Sequence, residues 1–185
     1  MGLGTVGLGT ATILQKNKAT LSMRKESEIN LVKVLEKYVD RAKEDLVAIG
    51  MDPEIVTDDF DAFLATEGMD IVVELIGGVT LAREFILKAL KAGKSVVTAN
   101  KDLMAIHGKE LLDTAAENKV DLRFEASVAG GIPIINVLKN DLVANNIISI
   151  MGIVNGTTNY ILTRMYEENG DFQEILKEAQ ELGYA

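Results

Sequence analysis

Gly2-Leu3-Gly4-Thr5-Val6-Gly7 is the first group of residues with a chemical meaning. Its Gly-x-Gly-x-x-Gly spacing suits a strand-to-helix turn that cradles the pyrophosphate of a dinucleotide. The first glycine permits the tight turn, the second lets the backbone approach the phosphates, and the third lets helix and sheet pack closely. Amides at the start of the helix, Thr5 and Val6 among them, then face the anion with the helix dipole behind them. Plain strand-to-helix turns share this spacing, so the motif takes its weight from the helix after it and the strand ending near Leu35. Only Met1 precedes it, and the central strand that feeds such a loop is expected to be missing.

The end of the second strand should select the cofactor. An acid there suits the ribose hydroxyls of NAD, and a base suits the extra phosphate of NADP. Glu36 and Lys37 stand side by side. Either can be a solvated surface residue, and the choice stays open, leaning to NADP through Lys37. Gly77 and Gly78 end a strand beside the expected nicotinamide, although a plain turn explains them equally. Lys101 follows a strand at the carboxyl edge of the sheet, where ligands of such folds bind. A lysine placed there can hydrogen-bond a reacting oxygen or shuttle its proton, provided burial lowers its pKa. His107 is the single histidine, so no multi-histidine metal site exists, and it reads as a helix-start residue before Gly108. Cysteine is absent, which removes disulfides, thiolate metal sites and thiol nucleophiles.

Elements must position these residues. Val6 to Lys16 reads as a helix with Val6, Ile13 and Leu14 inward, and Asn17 to Ser27 as a polar loop. Ile29 to Leu35 reads as a strand, and Tyr38 to Ile49 as a helix stopped by Gly50. Asp58 to Ala65 is a short helix, Asp70 to Ile76 a buried strand, and Thr80 to Lys91 a helix capped by Thr80. Ser95 to Thr98 is a strand, Gly108 to Asn118 a helix, and Val120 to Glu125 a strand. Pro133 to Asn140 starts like a helix, Ile147 to Val154 is a strand, and Thr157 to Glu168 and Phe172 to Leu182 are helices. Strand and helix alternate up to about residue 140, the order of a parallel sheet covered by helices on both faces. The fold class is therefore α/β, Rossmann-like, without its first strand, followed by the beginning of an α+β domain.

The chain has 185 residues and a net charge of −9, with acids spread along it. That charge excludes a broad nucleic-acid surface. No apolar run approaches the ~20 residues of a membrane helix, and no signal peptide is visible at the start. A reducing, cytoplasmic home fits the lack of cysteine.

Four further segments come after the glycine loop: Val73-Glu74-Leu75-Ile76-Gly77-Gly78, Val97-Thr98-Ala99-Asn100-Lys101, Glu125 to Pro133, and Gly152 to Leu162. In this order they resemble homoserine dehydrogenase, over essentially the whole chain apart from about Asn17 to Asp58. The resemblance implies NADP- or NAD-dependent interconversion of L-homoserine and L-aspartate 4-semialdehyde, in threonine and methionine biosynthesis, by a homodimeric parent. By residue-by-residue match, Gly2, Gly4, Thr5, Val6, Gly7, Lys37, Gly77, Gly78, Thr98, Asn100, Lys101 and Gly183 would meet the cofactor. Lys101 would also serve catalysis. Asn155, Gly156 and Thr157 would meet the substrate. Glu125, Val128, Gly130 and Ile132 would offer oxygens to a monovalent, sodium-type cation, several through carbonyls. Residues 1–132 would form the cofactor domain and residues 133–185 the start of the substrate domain.

In the family, Leu182-Gly183-Tyr184-Ala185 leads into an acidic segment with the substrate carboxylates and a second lysine, the proton donor. The chain is therefore expected to be truncated at both ends and to oxidise negligible homoserine alone. Two other readings remain. One is a non-catalytic dinucleotide-binding module. The other is a dehydrogenase for another amino-acid-like substrate, which Asn155-Gly156-Thr157-Thr158-Asn159 argues against.

Overall fold

Glycines punctuate this chain, and the runs between them alternate between β-branched and helix-periodic. The computed structural model describes residues 1–184. In chain order the elements are α1 (Thr5–Lys16), α2 (Lys18–Lys25), β1 (Val34–Leu35), α3 (Val39–Ala48), β2 (Val56–Thr57), α4 (Phe60–Leu64), β3 (Ile71–Glu74), α5 (Thr80–Lys91), β4 (Ser95–Thr98), α6 (Lys101–Glu117), β5 (Leu122–Arg123), α7 (Gly156–Glu168) and α8 (Phe172–Glu181). Single 3-10 turns lie at Pro53–Ile55 and Glu125–Ser127, and a π-helical turn at Val137–Asp141. Ala185, the end of the terminal motif, lies outside the described residues.

All strand pairs are parallel. Val34 faces Val56, Val72 faces Val96, and Val96 faces Leu122. Parallel neighbours need crossovers, which α3, α5 and α6 supply. The two sheets, β1-β2 and β3-β4-β5, meet at the amino terminus. The Met1 amino group donates to the Val73 carbonyl (2.7 Å). Leu75 N–H donates to the Met1 carbonyl (2.9 Å), and Gly2 N–H donates to the Leu35 carbonyl (2.9 Å). Met1 and Gly2 alone thus hold the place of the central strand, touching β3 on one side and β1 on the other.

Successive strand residues point to opposite faces, and Val34 and Leu35 divide accordingly. Val34 packs with Leu3, Ala11, Ala42, Leu46 and Val56 beneath α1 and α3. Leu35 packs with Met1, Phe63, Val72, Ile86, Val96, Leu103 and Leu111 beneath α4, α5 and α6. Helices therefore cover both faces. Tertiary contacts divide the chain into Met1–Ser127 and Val128–Ala185. In the second unit α7 and α8 close on Ile161, Ile175 and Ala179. Glu178 accepts hydrogen bonds from the Tyr160 hydroxyl (2.7 Å) and Arg164 Nη1 (2.9 Å).

Several expectations are corrected. Asn17 to Ser27 is not a loop but contains α2, whose Lys, Leu, Met and Arg residues favour helix. It has no buried residue among those described, so no apolar stripe announces it. Val6 and Ile13 face outward, 60% and 58% exposed. Gly7 and Ala11 are the inward residues, because α1 lies too close to the strands for larger ones. Helix α6 begins at Lys101, where Asn100 Oδ1 accepts Leu103 N–H (3.1 Å) as a cap, so His107 lies inside the helix. Thr80 is the first residue of α5, not a side-chain cap. Only Val34–Leu35 and Leu122–Arg123 pair within their expected strands. Pro133 to Asn140 gives a π-helical turn in place of a regular helix. Ile147 to Val154 has no ladder partner among the described residues, and Ile148 and Met151 are each 95% exposed. A strand pattern forms a strand only where a neighbour completes its hydrogen bonds.

Candidate functional site

Helix α1 starts directly after Gly4, and no side chain caps it. The first amides of a helix have no intrahelical acceptor. Thr5, Val6 and Gly7 therefore present N–H groups at the positive end of the helix dipole. Gly2 has a left-handed backbone (φ 84°). A Cβ added there would lie 2.7 Å from the Leu75 carbonyl oxygen, and one on Gly7 would lie 2.2 Å from that of Gly2. These two glycines are demanded by backbone against backbone. Gly4 has nothing within 4 Å of an added Cβ, so its open side is free for a ligand.

A cavity of about 690 Å³ opens over this loop, a size typical of small-molecule sites. Glu36, Lys37, Tyr38 and Arg41 line it at the end of β1, and Leu75, Ile76, Leu81 and Phe85 line it beyond β3. Glu36 Oε2 accepts Leu3 N–H (2.7 Å), and Oε1 accepts Lys37 N–H (2.8 Å). The acid is thus fastened to the glycine loop. Lys37 Nζ lies 5.6 Å from the centre of the Tyr38 ring. Sequence reasoning misses Arg41, which lies in the first turn of α3 with its Nε 3.8 Å from Asp45 Oδ2.

At the other end of the crevice, Glu74 is fully buried. Its Oε1 accepts Ile76 N–H (2.9 Å) and Gly77 N–H (3.2 Å), and its Oε2 accepts the Thr98 hydroxyl (2.6 Å). Asn100 N–H donates to Thr98 Oγ1 (3.0 Å), and Asn100 Nδ2 donates to the Gly78 carbonyl (2.6 Å). Gly77, Gly78, Thr98, Asn100 and Lys101 are brought together at the carboxyl edge of β3 and β4. Lys101 is exposed as the first residue of α6, so the burial invoked to tune it is not present. Sequence reasoning also misses Glu74. A carboxylate inside a continuous apolar strand is its signal, since a buried acid requires partners.

The remaining residues lie near or in the second unit. Asn155 Oδ1 accepts Thr158 N–H (2.8 Å) and so caps α7, which Gly156 begins. The Thr157 hydroxyl donates to the Tyr184 carbonyl. Gly183 is left-handed after α8 (φ 78°), with Tyr184 N–H returning to the Ala179 carbonyl (2.8 Å), the arrangement of a helix stop. Glu125 opens a 3-10 turn in the first unit. Val128, Gly130 and Ile132 belong to the second, with Ala129 and Gly130 left-handed. Among the described residues no group of three or more His, Cys, Asp or Glu is arranged for a metal. No described helix is long and apolar enough to cross a membrane.

Residues 2–125 match the family model of the homoserine dehydrogenase NAD binding domain, and residues 133–185 match that of homoserine dehydrogenase. Homoserine dehydrogenase of Bacillus subtilis strain 168 is 44% identical over 185 residues, covering 100% of this chain and 42% of that protein. The crystal structure of a homoserine dehydrogenase from Thiobacillus denitrificans aligns with a TM-score of 0.90 at 44% identity, over 100% of this chain and 42% of that one. A hyperthermophilic archaeal homoserine dehydrogenase in complex with NADPH is 29% identical, with a TM-score of 0.79, over 99% of this chain and 60% of that one. The chain spans about two-fifths of the length of the bacterial relatives it matches. The glycine loop, the parallel order of strands and the matches at both ends of the chain agree: this chain belongs to the homoserine dehydrogenase family.

Proposed function

We propose that this chain forms the cofactor-binding part of an enzyme that interconverts L-homoserine and L-aspartate 4-semialdehyde with NADP or NAD. The observation that carries the reading is the uncapped start of α1, whose free amides and open Gly4 border a cavity with Glu36, Lys37 and Arg41 at one end. Amides there suit the pyrophosphate. Glu36 suits ribose hydroxyls, whereas Lys37 suits a phosphate on the ribose and inclines the reading to NADP, with Arg41, whose Nε lies 3.8 Å from Asp45 Oδ2, on the same wall. Residues 1–132 act as the cofactor domain and residues 133–185 begin the substrate domain. The parent is read as a cytoplasmic homodimer. A sodium-type ion at Glu125, Val128, Gly130 and Ile132 remains part of this reading through its oxygen donors.

A nicotinamide held here would supply hydride chemistry at the C4 carbon of the substrate. Gly77 and Gly78 hold the backbone open beside the nicotinamide end. Lys101 donates a hydrogen bond to the reacting oxygen as charge develops on it. Asn155, Gly156 and Thr157 orient the substrate. Exposure of Lys101 favours one alternative, a binding module without turnover, and activity measurements separate the two.

Titration of the 185-residue chain with NADPH and NADH, followed by nucleotide fluorescence, should show saturable binding, tighter for NADPH. No binding of either overturns the cofactor reading. Homoserine oxidation by this chain alone should be negligible, and turnover like that of an intact family member would overturn the roles assigned to these residues. In a full-length enzyme containing this segment, Lys101→Ala should lower kcat about 100-fold, the scale of a lost proton-transfer or oxyanion partner. Unchanged kinetics would make Lys101 structural.

A further inference from the structure

Thr98 and Asn100 match positions where cofactor contacts are expected, yet their polar side-chain atoms are engaged inside the protein. The Thr98 hydroxyl donates to Glu74, and its oxygen accepts Asn100 N–H. Asn100 Nδ2 donates to Gly78, and Asn100 Oδ1 caps α6 by accepting Leu103 N–H. Glu74 closes the circuit by accepting the amides of Ile76 and Gly77. Glu74 and Thr98 are fully buried and Asn100 nearly so. Both carboxylate oxygens of Glu74 act as acceptors, and every donor aimed at it comes from the turn or from β4.

We propose that Glu74 is a positioning residue which, through Thr98 and Asn100, locks the Gly77–Gly78 turn to the first turn of α6, so that the turn and Lys101 are set as one unit. This rests on the dinucleotide reading for its purpose, though not for its geometry. The left-handed glycines of the turn have no side chains to fix them (φ 73° and 67°). Their conformation is held instead by the acid at one end and Asn100 at the other. Buried hydrogen-bond circuits fail as units, and removing the Thr98 hydroxyl leaves the fully buried Glu74 carboxylate short of a partner at the point where β3 and β4 meet. Attachment of the circuit to β4 as well as β3 makes the turn an extension of the rigid sheet.

The test uses the 185-residue chain and its Thr98→Val, Thr98→Ser and Glu74→Gln variants. Thr98→Val removes the hydroxyl with little change of shape. Kd for NADPH and NADH should rise about tenfold, the scale of one buried hydrogen bond. Kd for the adenosine halves, 2′,5′-ADP and 5′-ADP, should stay within about twofold, because they do not reach the turn. Thr98→Ser should restore binding. Amide hydrogen exchange should quicken together at Gly77 and Leu103 in Thr98→Val and in Glu74→Gln. Equal weakening of dinucleotides and adenosine halves, or unchanged exchange at Gly77, overturns the proposal. If the unaltered chain binds no nucleotide, the dinucleotide reading fails, and joint or separate exchange at Gly77 and Leu103 still decides whether the turn and helix are locked.

Discussion

Gly7→Ala is expected to destabilise the amino-terminal unit by about 3 kcal/mol, the upper range for forced overpacking, while Gly4→Ala leaves stability nearly unchanged and abolishes dinucleotide binding. The contrast arises from where each methyl group would go. At Gly7 the new Cβ meets the carbonyl oxygen of Gly2 at 2.2 Å. Both atoms are backbone, so no side chain can swing aside, and α1 must lift from the loop. Lifting α1 also disturbs Leu3 and Ala11, which pack with Val34 and Leu46. At Gly4 the methyl group meets nothing in the protein, and its space is the one assigned to the phosphates. Urea denaturation and NADPH titration of the two variants measure both quantities. Equal stability losses would mean the loop's glycines are interchangeable, and unimpaired binding by Gly4→Ala would move the ligand elsewhere.

A polypeptide beginning at Met1 should become more stable as pH rises from about 6 to about 8. Met1 is 8% exposed, and its amino group sits in the ladder between β1 and β3. Burial is the main influence and lowers its pKa from 8.0 to about 6, against the attraction of Glu74 and Glu36. The unfolded chain therefore keeps its proton up to about pH 8, whereas the folded chain has released it by about pH 6. Between these values the unfolded state binds more protons, so raising the pH favours the folded state. The difference corresponds to a stability change on the order of 2 to 3 kcal/mol. The contribution is level on either side of that window. Denaturation midpoints measured across the window check this. A chain extended upstream of Met1 has an amide at that nitrogen and should lose the slope, and equal slopes in both chains would remove Met1 as the cause.

Much of the first unit is legible in the sequence because its signals are local. Continuous apolar runs such as Ile71–Glu74 and Ser95–Thr98 mark strands covered on both faces, and Gly50 and Gly93 mark helix ends. What escapes depends on partners remote in sequence. Gly108 resembles punctuation and sets the expected start of its helix too late. It is in fact a buried helical glycine of α6, whose added Cβ would lie 3.2 Å from Met104 Cε. The run from Ile147 to Val154 carries a strand's residues without a strand's neighbour, and no local pattern reports that. At the site, the glycine loop and Lys101 are visible by type and spacing. Glu74 sits within a recognisable motif yet gives no sign of its role, which exists only where β3, β4 and the start of α6 converge. Arg41 is hidden in an ordinary amphipathic helix until the cavity beside it is seen.

Met1 and Gly2 join the two sheets through three backbone hydrogen bonds, and the same short segment forms the wall of the proposed cradle. Ligand and sheet are therefore thermodynamically linked. A dinucleotide held by the amides of α1 and by the loop would fasten β1 to β3, acting as a staple across the narrowest seam of the domain. Its free energy of binding then adds directly to the free energy of unfolding, about 2.7 kcal/mol at a ligand concentration 100 times Kd. Exchange protection gained on binding should fall first on the amides of Gly2, Leu3 and Leu75, at the seam itself, and only then on the helices around it.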